Sequence, residues 1–506
     1  MTDVESGVDM ANFRFHIIEK IIDEVGSDDI DDSVLEVPPD PALGDYAFPC
    51  FTLSKTLKKS PQAIAEWLAS KIKPDDVIAE VKNAGPYLNF FIDKSALARS
   101  VITAVLKDGG SFGQGSERRK VLLEFPSPNT NKPLHLGHIR NMLLGTSIGN
   151  ILKFNGNSII NVNLNNDRGI HICKSMLAYR LFGDNQEPDM KSDHFVGKWY
   201  VIFAQKAKDQ PELEEQAQEM LRKWEAGDKE LHALWKRMND WAFSGFSKTY
   251  ETFGVTFDKQ YFESEIFRTG KDYVAAGLKS GVFAKDDDGN VMVDLENYGL
   301  GKKVVLRADG TSVYATQDMA LANVKNKDFP DADVSIYVVA NEQDHYFRQL
   351  FKIFELMKYP FANRCYHLSY GMVNLPDGRM KSREGTVVDA DDLVDEMVSL
   401  AKAAIELRHK ELGDEKTTDR AFVIGMGALR FFILKHDPSK DMTYDPNESI
   451  SFEGETGPYV QYVHARIAGI KKKYGKDLDR DIDFSLLDTP EEVALLKLIQ
   501  SWPETA

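Results

Sequence analysis

Short apolar runs alternate with longer helical patterns from residue 120 onward, and this alternation constrains the fold more than any other feature. It is typical of a parallel β-sheet with helices packed on both faces. The sequence therefore predicts an α/β fold built on a doubly wound, Rossmann-like parallel sheet. The runs are KVLLEF (120–125), SIINVNL (158–164), VSIYVVA (334–340) and CYHLSYGMV (365–373).

The domain organisation follows from where this alternation starts, pauses and stops. A chain of 506 residues corresponds to roughly three domains of about 150 residues each. A glycine-rich stretch at 109–119 indicates a linker before the sheet domain. The predicted parts are an α+β N-terminal domain (1–110), the sheet domain (111–395) with a charged helical insertion at about 183–300, a helical region (396–445) and the start of a further helical domain (446–506).

Cysteine usage and hydropathy indicate an intracellular protein. Cys50, Cys173 and Cys365 lie far apart in sequence, which argues against a disulfide framework and against a cysteine-based zinc site. The N-terminus is acidic and has no apolar signal segment. The longest nearly apolar run, 421–434, contains Arg430 and is too short to span a bilayer. We therefore expect a cytoplasmic protein without a membrane partner.

The net charge of −17 argues against a general nucleic-acid coat protein. It still allows a local basic surface, because attraction depends on where the charge lies. Two basic clusters, ERRK (117–120) and KKKYGK (471–476), are most simply interpreted as solvated faces.

The stretch SPNTNKPLHLGH (127–138) lies between the first apolar run and the helical pattern after it. Ligands of parallel sheets bind beyond the carboxyl ends of the strands, near helix N-termini, which favour anions. Two histidines can donate N–H groups to phosphate oxygens, and the glycine between them lets an adenine ring or backbone approach closely. The stretch predicts a nucleoside triphosphate site without a Walker loop; the alternative is a histidine-bearing loop with structural prolines. The candidate ligands are Asn129, Lys132, His135, Gly137 and His138.

The four residues HLGH (135–138) resemble the HIGH motif of class I aminoacyl-tRNA synthetases, which binds ATP and stabilises adenylyl transfer. The wider sequence EFPSPNTNKPLHLGHIRN resembles one family of that class, the arginyl-tRNA synthetases. NDRGIHICK (166–174) resembles the family block GDWGTQ, although Arg168 and His171 depart from its commonest form. RADGTSVYATQDMA (307–320) resembles RSDGT.TYLTRDIA, with Gln317 in place of the usual arginine.

Other blocks occur in the family order. LGDYAF and AGPYLNFFI resemble the family's N-terminal tRNA-recognition domain, and ETGPYVQYVHARI resembles the start of its helical anticodon-binding domain. The resemblance implies an arginine–tRNA ligase, which activates L-arginine with ATP and transfers it to tRNA(Arg). It also implies an anticodon-binding domain longer than 446–506, so we expect the chain to be a truncated form with weak tRNA binding.

The second nucleotide motif of the class, KMSKS, corresponds to GRMKSREGTVV (378–388). This segment matches only loosely, and the alternative is a charged turn in which Asp389 or Asp391 caps the next helix. Because the loop is degenerate, we expect Lys132 to supply the positive charge at the departing pyrophosphate. The implied ATP site comprises Pro128, Asn129, His135, Gly137, His138, Met380 and Lys381, and the implied catalytic set comprises Lys132, His135, His138, Lys381 and Arg383.

The guanidinium of arginine offers five donors in a fixed fork, so a carboxylate is its natural partner. Asp318 is the first candidate, with Tyr314 one helical turn before it as a stacking surface. Gln343 is expected to accept a further hydrogen bond, and Glu124 and Asn129 to hold the substrate's α-ammonium. Each residue alone also fits an ordinary structural role, namely helix start, core or strand end.

No HExxH, CxxC or clustered histidine spacing predicts a metal site, so Mg²⁺ is expected only as a companion of the ATP phosphates, with no tightly bound cofactor. We expect a monomer. Two alternatives stay open: a small-molecule nucleotidylyltransferase, which shares the HxGH loop, and a catalytically silent paralogue that only binds RNA.

Overall fold

The computed structural model describes residues 12–27, 30–374, 388–408, 414–445, 448, 454–476 and 481–505. The chain divides into two compact units. Unit 1 comprises residues 1–116 and 476–506, and unit 2 comprises residues 117–475.

Helices and strands are numbered here in chain order. The strands are β1 (Tyr46–Pro49), β2 (Ile78–Ala84), β3 (Tyr87–Ile92), β4 (Lys120–Glu124), β5 (Ser158–Asn165), β6 (Lys259–Phe262), β7 (Ala284–Lys285), β8 (Val291–Asp294), β9 (Lys302–Leu306), β10 (Val334–Ala340), β11 (Cys365–Tyr370), β12 (Val373–Asn374) and β13 (Met442–Thr443). The helices are α1 (Asn12–Val25), α2 (Ser54–Leu57), α3 (Pro61–Lys71), α4 (Lys94–Asp108), α5 (Leu136–Phe154), α6 (Ile170–Phe182), α7 (Ser192–Asp209), α8 (Glu212–Glu225), α9 (Lys229–Phe253), α10 (Glu263–Ser280), α11 (Tyr314–Asp328), α12 (Asp344–Leu356), α13 (Ala390–Arg408), α14 (Asp414–Leu434), α15 (Gly457–Tyr474), α16 (Pro490–Gln500) and α17 (Trp502–Thr505).

Unit 1 is an α+β unit built on an antiparallel sheet in the order β1–β3–β2. The central strand β3 buries Leu88 and Phe90 against the surrounding helices. Helix α4 begins where the Asp93 carboxylate accepts hydrogen bonds from the first free N–H groups of the helix. Helix α16 belongs to this unit and contributes Leu496 to its core.

Unit 2 is built on a five-stranded parallel sheet in the order β11–β10–β4–β5–β6. Residues Val121, Leu122 and Leu123 of the central strand β4 are all buried, as expected for a parallel strand covered on both faces. The four predicted apolar runs form β4, β5, β10 and β11, with residues 371–373 extending beyond β11. The predicted doubly wound parallel sheet is confirmed.

Helix α5 packs directly on the sheet and ties its strands together. The side chain of Asn141 donates to the carbonyl of Val338 in β10 (2.7 Å) and to the hydroxyl of Tyr370 in β11 (3.0 Å). The fully buried Arg140 donates to three backbone carbonyls outside the helix. The helix that begins at the HLGH motif is therefore fixed along its first turns.

The stretch 183–300, predicted as one helical insertion, has a more varied structure. Helices α7, α8 and α9 pack with α6 around an aromatic core that includes Tyr179, Phe195 and Trp199. The chain then returns to the main sheet at β6, and β7, β8 and β9 form a separate antiparallel sheet. Strand β6 is hard to predict because only Tyr261 of its four residues is buried.

After the main sheet, α13 and α14 pack closely against each other, and α15 packs on α14. Glycines allow these approaches: a β-carbon at Gly425 would lie 2.8 Å from the carbonyl oxygen of Met397. The predicted domain boundary at 446 lies within unit 2, and the residues after 475 fall in unit 1.

We predict that Gly145→Ala destabilises unit 2, because a β-carbon there would lie 2.5 Å from the buried ring of Phe125. Overpacking of this kind costs about 1–3 kcal/mol, which outweighs the roughly 1 kcal/mol gained in helix propensity. Urea unfolding should show a lower midpoint. The control is Gly469→Ala in α15, where a β-carbon meets nothing within 4 Å and the midpoint should not fall. An unchanged midpoint for Gly145→Ala would show that β4 and α5 can move apart.

Candidate active site

The candidate site lies at the carboxyl ends of β4 and β10. These neighbouring strands form the switch point of the sheet, because the chain continues from β4 to β5 and β6 on one side and from β10 to β11 on the other. Ligands of doubly wound sheets bind at such a point. The loop after β4 carries residues 127–135, and a short turn at Asn341–Gln343 follows β10.

The two histidines of the HLGH motif cap helix α5. The backbone N–H of Gly137 donates to Nδ1 of His135 (3.2 Å), and the backbone N–H of His135 donates to Nδ1 of His138 (3.1 Å). The ring centroids lie 3.9 Å apart. A β-carbon at Gly137 would lie 3.0 Å from the His135 ring, so the glycine also makes room for this pair.

Both histidines are neutral at physiological pH. Burial and the nearby Lys132 lower the pKa of His135 to about 3. Burial, His135 and Lys132 hold the pKa of His138 well below its usual value. Because Nδ1 accepts a hydrogen bond in each ring, the ring proton is assigned to Nε2.

Lys132 lies beside this pair. Its Nζ atom is 3.5 Å from Nε2 of His135, and burial lowers its pKa. With the ring proton on Nε2, both groups are donors, so each can donate a hydrogen bond to an anionic oxygen placed beside them. The sequence predicted this grouping of lysine and histidine, and the structure brings the two together.

Residues 388–390 run beside the same loop. The backbone N–H of Leu136 donates to the carbonyl of Val388 (3.0 Å), and that of Ala390 donates to the carbonyl of Leu134 (3.0 Å). The segment after the KMSKS-like sequence is thus paired with the HLGH loop. Met380, Lys381 and Arg383, predicted for the ATP site and catalysis, lie outside the described residues.

An ion cluster anchors this segment to the helical insertion. Asp391 accepts from Lys191 (2.5 Å) and from His194 (2.8 Å), and His194 also contacts Asp389 (3.3 Å). Hydrogen bonds to Asp389 and Asp391 raise the pKa of His194 to about 10. Asp193, His194 and Asp391 place potential ligand atoms within 4.8 Å of one another, but Lys191 already pairs with both aspartates and His194 with Asp391.

A second group of side chains, rich in carboxylates, surrounds Asp318. The hydroxyl of Tyr346 donates to this carboxylate. Burial raises the pKa of Asp318 to about 6, with a further contribution from Glu124. Tyr314 lies one helical turn earlier in α11 and is 74% exposed, so its ring is accessible to a ligand.

Glu124 is already engaged in the structure. One of its oxygens accepts a hydrogen bond from Lys325 Nζ at 2.6 Å, and both side chains are buried. Of the other predicted ligands, Asn129 and Gln343 are exposed and Pro128 is buried. Asn129 lies on the β-bridge with Asn166. Gln343 ends the short turn after β10 and directly precedes helix α12, which carries Tyr346.

Glu263, which the sequence analysis missed, also belongs to this group. It is the first residue of α10, directly after β6, and its side chain is 9% exposed. Gln317 donates to its Oε1 atom (2.6 Å), and Arg168 lies 3.4 Å from the same atom. Residues that follow strands at this edge of the sheet are candidates for binding, so a correct prediction of β6 would have indicated Glu263.

Comparison with known proteins agrees with this geometry. Residues 101–445 match the family described as tRNA synthetases class I (R), catalytic domain, and residues 15–92 match the arginyl tRNA synthetase N terminal domain. The arginine–tRNA ligase of Treponema denticola is 48% identical over 488 residues, covering 93% of this chain and 82% of the relative. That of Parabacteroides distasonis is 41% identical, covering 90% and 80%.

The chain belongs to the arginyl-tRNA synthetase family. The predicted family, fold class and arginine–tRNA ligase function are confirmed. The solved Thermus thermophilus arginyl-tRNA synthetase is similar to this synthetase with a TM-score of 0.75 and 28% identity, covering 97% of this chain and 86% of that one. The Plasmodium falciparum structure (TM-score 0.72, 17% identity, 98% and 86% covered) shares the fold. No helix in the described part of this synthetase has the length and apolar character needed to span a membrane.

The ion cluster predicts a pH dependence of the synthetase's stability. The pKa of His194 rises from 6.5 to about 10 in the folded state, so its stabilisation is complete below about pH 6.5 and is lost as the pH rises toward 10. The difference in urea midpoint between wild type and His194→Gln should therefore shrink between pH 7 and pH 10. The control is His464→Gln on the exposed part of α15. A difference that stays constant with pH would contradict the assignment.

Proposed function

We propose that arginine and ATP react at the carboxyl ends of β4 and β10 to give arginyl-adenylate and pyrophosphate, and that the arginyl group then passes to the 3′ end of tRNA(Arg). The observation that carries this proposal is the separation of charge in the site. Hydrogen-bond donors gather at the N-terminus of α5, where they suit phosphates, and carboxylates gather on α10 and α11, where they suit a guanidinium. Such a site works by positioning and by stabilising developing charge.

The proposed ATP ligands in the described part of the chain are Pro128, Asn129, His135, Gly137 and His138. Neutral histidines donate hydrogen bonds to the phosphate oxygens without transferring a proton to them. The positive end of the helix dipole also attracts the phosphate. Met380 and Lys381 complete the proposed set. Mg²⁺ is proposed to accompany the ATP phosphates.

Lys132, His135 and His138 are proposed to stabilise the transferring adenylyl group and the departing pyrophosphate, together with Lys381 and Arg383. Lys132 is well suited because it is partly buried beside His135, which limits the reach of its ammonium. Pro133 restricts the backbone that precedes it. The ammonium therefore needs little reorganisation when charge develops on the leaving group.

The proposed arginine pocket is formed by Asp318, Tyr314, Gln343, Glu124 and Asn129. We add Glu263 to this proposal because Gln317 donates to it and Asp318 raises its pKa. Asp318 and Glu263 offer two carboxylates to the guanidinium. Glu124 already pairs with Lys325, so its proposed contact with the α-ammonium would use its remaining oxygen. Tyr314 provides an exposed ring on which the guanidinium can stack.

The domain roles are also proposals. Residues 1–110 are proposed to contact tRNA, and residues 111–395 to catalyse the activation and transfer of arginine. Residues 396–445 are proposed to contact the tRNA stem, and residues 446–506 to begin the anticodon-binding domain. The protein is proposed to act as a cytoplasmic monomer that requires tRNA before it activates arginine, as the family usually does.

Pyrophosphate exchange into ATP, measured with each of the twenty amino acids with and without tRNA, tests this function. Exchange that depends on arginine and tRNA is expected. Exchange without any amino acid but with another small substrate would favour a nucleotidylyltransferase. RNA binding with no exchange under any condition would indicate a catalytically silent paralogue.

Lys132→Ala is predicted to lower kcat for activation by about 100-fold, the size expected when one preorganised contact to the transition state is lost. The KM for arginine should stay nearly unchanged, because the arginine pocket is built from other residues. Lys381→Ala and Arg383→Ala are the controls. If either variant loses far more activity than Lys132→Ala, the main phosphate cation lies in the KMSKS-like segment.

Asp318→Asn is predicted to raise the KM for arginine by a factor of a hundred or more while the KM for ATP changes little. The substitution keeps the shape of the side chain but removes the charged partner of a desolvated guanidinium, at a cost of about 3–5 kcal/mol. Steady-state kinetics of activation measure both constants. An unchanged KM for arginine would remove Asp318 from the pocket.

A further inference from the structure

Two positions at which this chain departs from the commonest family motifs meet at one carboxylate. In the family blocks that the sequence resembles, GDWGTQ has tryptophan where this chain has Arg168, and RSDGT.TYLTRDIA has arginine where this chain has Gln317. Nη1 of Arg168 lies 3.4 Å from Oε1 of Glu263, and Nε2 of Gln317 lies 2.6 Å from the same oxygen. A side chain at either position can therefore reach Glu263.

Arg168 is held firmly on its other sides. Its guanidinium carbon lies 4.0 Å from the centroid of the Phe267 ring and 5.7 Å from that of Trp224. Its Nη2 atom pairs with Glu225 at the end of α8, and the side chain is only 6% exposed. A planar guanidinium can stack its flat face on rings while its fixed fork of donors pairs with two carboxylates. A lysine ammonium has neither the flat face nor the fork.

Glu263 needs a nearby cation to stay ionised. Burial raises its pKa to about 7, and the charged groups that face it are Arg168, which lowers the pKa, and Asp167 and Asp318, which raise it. Gln317 faces it as a neutral donor. Without Arg168, the carboxylates of Asp167 and Asp318 still face Glu263.

We infer that Arg168 is a positioning residue of the arginine pocket: it holds the Glu263 carboxylate in place for the substrate guanidinium, a role that an arginine at position 317 would also be placed to fill. This inference rests on the proposed pocket. With Arg168 and Gln317, one protein guanidinium lies near Glu263 and Asp318. An arginine at position 317 would add a second guanidinium, which would repel that of the substrate. Arg168 also joins the insertion, through Glu225, to the pocket.

A double-mutant cycle tests whether an arginine at position 317 can replace Arg168 beside Glu263. Arg168→Gln should raise the KM for arginine by about tenfold or more, a free-energy change of about 1.4 kcal/mol, and leave the KM for ATP unchanged. In the double variant Arg168→Gln/Gln317→Arg, the new guanidinium reaches the same oxygen, so the KM for arginine should recover most of the loss. Strictly additive effects of the two substitutions would overturn the inference, as would an unchanged KM in Arg168→Gln.

The pH profile distinguishes positioning from a purely structural role. Loss of Arg168 leaves Asp167 and Asp318 facing Glu263, so the pKa of Glu263 should rise. The KM for arginine of Arg168→Gln should therefore fall as the pH is raised from 7 to 9, because Glu263 regains its charge, whereas that of the wild type should change less. A variant whose KM is raised equally at both pH values would contradict the inference.

A control variant on the insertion and a second comparison show whether the change in KM is specific to Arg168. Arg222→Gln removes an exposed arginine that pairs with Glu219 on the same insertion helix, and the KM for arginine should not change. If Arg168→Gln does not fold, the wild type is compared with Gln317→Arg: the wild type should bind arginine more tightly, because it carries one pocket guanidinium and not two. Equal or weaker binding would overturn the inference. Asp318→Asn tests the pocket separately, since it leaves the Arg168–Glu263 pair intact.

Discussion

The close packing of α5 on β4 is the constraint on which the rest of the site depends. Gly145 has no side chain, so the helix can lie directly against the ring of Phe125. Asn141 links the helix to β10 and β11 by hydrogen bonds. The N-terminus of α5 is thereby fixed at the carboxyl ends of the two central strands. This packing sets the positions of Lys132, His135 and His138. It also sets the position of the segment 388–390, which pairs with their loop.

Burial then sets the charge of each part of the site. It lowers the pKa values of Lys132, His135 and His138, so the histidines serve as neutral donors. It raises the pKa values of Asp318 and Glu263, because burial disfavours the charged form of each carboxyl group. One physical effect, removal from water, thus acts on both groups of the candidate site: it disfavours positive charge at the N-terminus of α5 and negative charge on α10 and α11.

Much of this arrangement could be predicted from the sequence, and the omissions have identifiable causes. Strands β4, β5, β10 and β11 are apolar runs because both faces of the sheet are covered. Strand β6 was missed because it lies at the edge, where only Tyr261 is buried, and Glu263 was missed with it. The pairing of Glu124 with Lys325 joins residues about two hundred positions apart, and no local pattern in the sequence indicates it.

The sequence by itself determined the alternation of strands and helices, the HLGH motif at a strand–helix junction, and the family to which they belong, because these are properties of short segments with fixed periodicity and spacing. Only the tertiary structure decided which side chains share a partner. Arg168 and Gln317 stand as two unrelated departures in the sequence, yet they meet at one oxygen of Glu263 because β5, β6 and α11 converge at the same edge of the sheet. Such contacts depend on distances in space that the order of residues does not contain.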